Sequence, residues 1–201
     1  MISDEVFRRR VIRLISESYL RSQNAVVGCF DFDMFRLTEY YLQIAAQRDV
    51  KIPDGYRAYM PRVCEIENAF ARHPLPTVPC HNDLLAENYI DDGKILWLID
   101  FEYSGNNDPT FELGNTAQEQ LFDDARQRAL CAAYFGAAED AKLARMKLNM
   151  VMSDVGWTLW AAIQANISTL DFDFWGWTTE RWTRAMTKMD ASEFHDWLDA
   201  V

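Results

Sequence analysis

The chain has 201 residues, 49% of them hydrophobic, which is enough apolar matter for one globular unit without disulfide or metal staples. Its net charge of -11, from 20 Lys and Arg against 31 Asp and Glu, leaves no cationic surplus to neutralise a phosphate backbone, so it argues against nucleic acid and favours a small cation as ligand. No apolar run is long enough to span a bilayer, and Cys29, Cys64, Cys80 and Cys131 lie at spacings that fit neither a zinc site nor a disulfide framework. Buried free thiols in a reducing cytoplasm are the expected setting.

Taken in order, residues 2–24 read as an amphipathic helix with Val6, Val11, Ile12, Leu14, Ile15, Tyr19 and Leu20 on its apolar side. Arg8, Arg9 and Arg10 fall on another face and read as solvated beside Asp4, Glu5 and Glu17. Asp33 is placed to cap a helix through Arg48, and Lys51-Ile52-Pro53-Asp54-Gly55 breaks it. A second helix is expected over 56–72, with Pro61 tolerated near its start, before His73-Pro74-Leu75-Pro76 forces an extended lead-in. Asn88-Tyr89-Ile90, the turn Asp91-Asp92-Gly93 and the apolar run Ile95–Ile99 then predict a β-hairpin. Residues 105–109 read as a loop, 111–121 as a helix, and 124–134 as an Ala-rich helix ended by Gly136. A long helical pattern follows over 141–168, then an aromatic loop over 171–177. A helix from Thr178 to Lys188 and a last short one after Asp190-Ala191-Ser192 complete the chain.

The chemistry concentrates between Pro79 and Asn115, where His81-Asn82-Asp83, Asn88 and Asp100 surround the hairpin. Phosphoryl transfer to a hydroxyl needs a carboxylate to take the proton, and Asp83 is placed for that. Magnesium needs hard oxygen ligands, and Asn88 and Asp100 supply an amide oxygen and a carboxylate at the two ends of the hairpin.

The pattern H-N-D-x-x-x-x-N followed by I-D-F-E-Y resembles the catalytic segment of the choline/ethanolamine kinases, within the aminoglycoside phosphotransferase-like enzymes that share the protein-kinase fold. The resemblance implies a mainly α (α+β) fold: the C-terminal lobe of a kinase-like protein, a helical bundle with a small β-hairpin carrying the catalytic loop. It implies Asp83 as catalytic base, Asn88 and Asp100 as catalytic metal ligands, and Glu102 beside the metal. It also gives His81, Asn82 and Glu112 a supporting role, with Glu112 where the family usually has an aspartate. Mg2+ and ATP are the implied cofactors, and choline or ethanolamine is the implied acceptor.

Five of the seven tryptophans lie between Trp157 and Trp182. A quaternary ammonium is held by aromatic faces and a nearby carboxylate, although a Trp stripe at helical spacing serves a core as readily as a cage. The segment V-G-W-T-L-W-A-A-I-Q-A-N-I-S resembles the choline-pocket helix of the family, which implies substrate contacts from Trp157, Trp160, Trp177, Tyr103 and Glu119, and leaves Trp97, Trp175, Trp182 and Trp197 to packing.

The resemblance covers about Phe30 to Trp182. Residues 1–29 match poorly, residues 30–201 read as the C-terminal lobe, and the Gly-rich loop and phosphate-binding lysine of an N-terminal ATP lobe are not found. The expectation is a phosphotransferase incomplete as this chain: a fragment, a truncated gene product, or one half of an assembly completed by a second chain or by self-association over the uncovered face. A choline-binding module without transfer and a degenerate remnant are the alternatives.

Overall fold

Asp33 accepts the backbone N–H groups of Phe35 and Arg36 (2.8 and 3.2 Å) and so starts α1 (Met34–Gln47) in a computed structural model that describes residues 9–14 and 30–201. Residues 9–14 are helical, and the remainder of the expected N-terminal helix lies outside the described residues, as does Cys29. The described chain divides into two units. One takes residues up to Phe32 with Leu75–Lys147, the other Asp33–Pro74 with Leu148–Val201.

In the first unit, β1 (Val78–Cys80) pairs antiparallel with β4 (Gly105–Asn107), with Val78 opposite Asn107 and Cys80 opposite Gly105. The stretch Phe30–Phe32 joins them through Phe32 N–H to the Asn106 carbonyl and Asn106 N–H to the Phe30 carbonyl, both 2.8 Å. A Cβ at position 105 would stand 2.9 Å from the Phe30 carbonyl, so this approach requires Gly105. Between them, β2 (Tyr89–Asp91) and β3 (Leu96–Leu98) form the hairpin. Its turn is held by Asp92, whose carboxylate accepts from Lys94 N–H, Ile95 N–H and Trp97 Nε1–H at 2.8, 2.7 and 3.0 Å. Those bonds, led by the one from Ile95, hold the carboxyl down at about 2.

Asp108 caps α3 (Pro109–Glu119), and α4 (Asp124–Phe135) follows with Asp123 as cap and Gly136 in the left-handed conformation at its end. The residues expected to form a loop over 105–109 are therefore a strand and a helix start. Gly-Asn-Asn has little strand preference, and pairing with β1 overrides it. Leu121, expected on the helix, lies beyond it in the left-handed region (φ 51).

The second unit contains α1 (Met34–Gln47), a 3-10 turn over Tyr56–Tyr59, α2 (Met60–Arg72), α6 (Phe174–Met189) and α7 (Glu193–Ala200). The 28-residue helix α5 (Asp140–Ile167) contributes its start to the first unit and its remainder to the second. Buried Trp182 packs against Tyr56 and Tyr59, ring centroids 4.5 and 5.4 Å away, and Tyr56 Oη donates to the Val155 carbonyl at 2.8 Å. The helix expected from Thr178 begins four residues earlier, because Asp173 accepts Gly176 N–H at 2.8 Å. A Cβ at 176 would stand 2.2 Å from that carboxylate, so Gly176 permits the cap. Trp175 and Trp177 are thereby helical rather than in a loop.

Three further expectations change. Arg10 is not a solvated charge: its Nη1 lies 2.5 Å from both Asp91 carboxylate oxygens, tying residues 9–14 to the hairpin. Trp97, assigned to packing, is 51% exposed, since its strand presents it opposite Ile90 on the open face of a two-stranded sheet. Cys64 is an exposed free thiol, while Cys80 and Cys131 are buried. No described helix is long and apolar enough to cross a membrane.

Candidate active site

Cys80 ends β1, and the 3-10 turn Ala86–Asn88 delivers Asn88 to the start of β2. Four hydrogen bonds close the intervening loop into a ring. Asp83 N–H donates to His81 Nδ1 (3.3 Å), and His81 Nε2–H donates to the Ile99 carbonyl (2.8 Å). Ile99 N–H donates to the Asn88 carbonyl (3.1 Å), and Asn88 Nδ2–H donates to the Asp83 carbonyl (2.8 Å). The ring thus joins Asp83 to both ends of the hairpin, and Asp100 is the next residue after Ile99.

The network assigns His81 the neutral tautomer, acceptor at Nδ1 and donor at Nε2. Burial lowers its pKa in the same sense, and the Phe101 ring packs on it at 4.6 Å. A protonated ring would lose the acceptor that holds Asp83 N–H.

Asn82 and Asp100 both sit in the left-handed region, at φ 69 and 65. Such conformations in residues other than glycine persist only where surrounding bonds over-determine them. For Asn82 those bonds are on view: its Nδ2 donates to the Tyr103 carbonyl (3.0 Å) and its Oδ1 accepts from Asn107 Nδ2 (2.9 Å). The helix α3 supplies the rest of the frame, because Glu112 and Asn115, three residues apart, project from one face. Glu112 accepts His81 N–H at 3.1 Å and Asn82 N–H at 3.0 Å, and Asn115 Oδ1 accepts Leu84 N–H at 2.5 Å. Buried Glu112 has its carboxyl pushed up to about 7 by desolvation, against the lowering effect of those amide bonds. At the helix start, Asp108 receives Arg145 Nε–H at 2.5 Å.

Of the residues singled out in the sequence, Asp83 and Asn88 are buried members of the ring, and Asp100 is exposed beside it. Glu102 is exposed in the turn that follows, and Tyr103 and Glu119 are half-buried in the same unit. Trp157, Trp160 and Trp177 belong to the second unit. There Trp160 meets Trp157 at 6.4 Å and 85°, Trp177 at 5.9 Å and 81°, and Phe174 at 6.1 Å and 67°. Phe172 meets Trp177 at 6.2 Å and 82°. Steeply inclined rings such as these form walls rather than a stack. Trp157 is only 4% exposed, Trp160 and Trp177 are half-buried, and Phe172 is 56% exposed.

Sequence reasoning missed Phe172, Phe174 and Arg181 as members of this group. The alternating Asp171-Phe172-Asp173-Phe174 was the available signal for the first two. Nothing local marks Arg181, whose guanidinium carbon lies 3.9 Å from the centroid of a Trp177 ring.

A family model described as Choline/ethanolamine kinase matches residues 36–186. Human ethanolamine kinase 1 is 33% identical over 135 residues, covering 54% of this chain and 30% of that protein. Mouse ethanolamine kinase 2 is 35% identical over 121 residues, covering 49% of this chain and 31% of that protein. The matched part is thus about a third of each curated relative's length. Among solved structures, a choline/ethanolamine kinase family protein from Mesorhizobium loti superposes with a TM-score of 0.87 at 33% identity, covering 98% of this chain and 69% of that one. The choline kinase LicA of Streptococcus pneumoniae shares the fold, with a TM-score of 0.77 at 22% identity over 93% of this chain and 65% of its own.

Proposed function

Because the chain belongs to the choline/ethanolamine kinase family, we propose that it carries the acceptor and metal half of a phosphotransferase that moves the γ-phosphate of ATP to the hydroxyl of choline or ethanolamine. The observation that supports this reading best is the hydrogen-bonded ring through Asp83, Asn88, Ile99 and His81, which holds a candidate base and two candidate metal ligands on one rigid frame.

In this reaction the acceptor oxygen attacks the γ-phosphorus, its proton passes to the Asp83 carboxylate, and the bond to ADP breaks. Both backbone groups of Asp83 are committed to the ring, so its carboxylate approaches the hydroxyl from a fixed base. Neutral His81 serves as the pivot of that base and takes no proton. Asn88 and Asp100, with Glu102 next to them, would hold Mg2+, which when bound neutralises charge on the phosphates. The donor set fits that ion: Asn88 directs its Nδ2 to the Asp83 carbonyl, so Oδ1 is the atom that would serve as ligand, and Mg2+ takes one or two carboxylates together with phosphate oxygens and water. Among the described residues no group of three His, Cys, Asp or Glu side chains forms a dedicated cage, and a substrate-borne ion needs none.

The ammonium end is assigned to Trp157, Trp160 and Trp177, with Tyr103 and Glu119 as the resemblance implies. The exposed apolar side chains of Ile90, Ile95, Trp97, Ile99 and Phe101, on and just after the hairpin, are assigned to contact with the nucleotide-holding part of such an enzyme. A reducing cytoplasm is the setting such chemistry implies.

The test is choline- and ethanolamine-dependent ADP release from Mg-ATP, with Asp83→Asn beside the wild-type chain. Turnover lost in Asp83→Asn is expected. If wild type releases no ADP yet binds choline, and Trp160→Ala abolishes that binding, transfer by this chain alone is overturned and the chain is a choline-binding module or the acceptor half of a split enzyme.

A further inference from the structure

The aromatic group carries a cation of its own. Arg181, on α6 one turn beyond Trp177, is 0% exposed and is among the largest fully buried side chains of the described residues. Its guanidinium lies 3.9 Å from a Trp177 ring centroid, within cation–π range. A buried guanidinium against one face of an indole denies that face to any ligand. Its Nη1 also lies 3.6 Å from Asp154 Oδ1 on α5, and Asp154 is 0% exposed. Arg184 Nη2 reaches the same oxygen at 2.6 Å, Lys188 Nζ stands 3.8 Å from Oδ2, and Glu180 lies 3.5 Å from Arg184 Nη1. Asp154 is therefore shared by Arg181, Arg184 and Lys188, while the Arg181 guanidinium also lies against Trp177.

We infer that Arg181 sets the ligand preference of the ring group: by holding a permanent cation on one face of Trp177, it makes Trp177 an apolar wall and leaves the attraction for a ligand's positive charge to Trp160 and its other neighbours. This inference rests on the reading of the group as an ammonium site. Two cations on opposite faces of one ring draw on the same quadrupole and repel each other, so the second gains less than it would on an unoccupied indole. Trp160 differs in this respect, because its ring neighbours among the described residues, Trp157, Phe174 and Trp177, are all aromatic.

The test compares choline with its neutral carbon isostere, 3,3-dimethylbutan-1-ol, by calorimetric titration, and reads the ratio of the two dissociation constants. Wild type is expected to prefer choline. Arg181→Met, which retains the bulk and leaves Asp154 with Arg184 and Lys188, is expected to raise that preference about threefold to tenfold. A merely structural role would weaken both ligands together and leave the ratio unchanged or lower, which would overturn the inference. Should Arg181→Met not fold, two variants at half-buried rings decide the matter. Trp177→Leu is expected to change the ratio less than about twofold, and Trp160→Leu to lower it severalfold. Equal losses in the two Leu variants would overturn the inference too. A wild type that binds the neutral isostere as well as choline removes the ammonium reading itself, a separate failure from either of these.

Discussion

Glu112 shows how one buried carboxylate makes the loop around Asp83 sensitive to pH. Its ionised form accepts the amides of His81 and Asn82, yet burial raises its pKa from 4.5 to about 7. Because the folded value lies above the unfolded one, the stabilisation from binding that proton is fully present below pH 4.5 and is lost as pH rises through 7. The size follows from about 1.4 kcal/mol per pKa unit, roughly 3 kcal/mol in all. Urea unfolding of wild type and Glu112→Gln should therefore show the wild-type advantage shrinking by roughly that amount between about pH 4.5 and pH 8. A constant difference across that range would mean that Glu112 titrates alike in the folded and unfolded chain. The sequence exposed this residue only through its resemblance to a position usually held by aspartate. The longer side chain still meets the loop amides from α3, and that contact was not legible from composition or spacing.

At the scale of elements, the pairing of α5 with α6 in the second unit turns on Asp154. Desolvation pushes its carboxyl up to about 6 even with Arg184, Lys188 and Arg181 around it, and burial likewise lowers the pKa of Lys188. Asp154→Ala would leave those cations facing one another without their shared counter-ion, at a cost of about 3–5 kcal/mol in unfolding free energy. Chemical denaturation checks this, and a change within about 0.5 kcal/mol would place the cations in water rather than in the core. The periodic pattern of α5 was readable because hydrophobic spacing is local, and it predicted 141–168 where the helix is Asp140–Ile167. The start of α6 was misplaced for an equally local reason. An aromatic run disguised the cap that Asp173 makes to Gly176, so Trp177 was expected in a loop when it stands on a helix one turn before Arg181.

For the whole molecule, the charge of -11 bears on how the proposed ammonium acceptor would arrive. An acidic protein draws a cation by its long-range field, and salt screens that field from a range of about 30 Å at 0.01 M to about 8 Å at 0.15 M. Stopped-flow tryptophan fluorescence should show the choline association rate falling severalfold over that interval while dissociation changes little. An unchanged association rate would mean that the acidic excess lies away from the entry path. Much of this chain was determined by sequence alone: the cap at Asp33, the hairpin turn at Asp91-Asp92-Gly93, the stop at Gly136, and the spacing from Asp83 to Asn88 to Asp100 that marks the family. Each of these signals operates within a few residues, so no distant partner is needed to read it. Tertiary structure alone decided that Gly105–Asn107 is a strand, that Arg10 pairs with Asp91, that His81 closes a ring with Ile99, and that Arg181 covers a face of Trp177. The reason is common to all four: a polar group buried by folding must take the partner that packing brings to it, and that partner can lie anywhere along the chain.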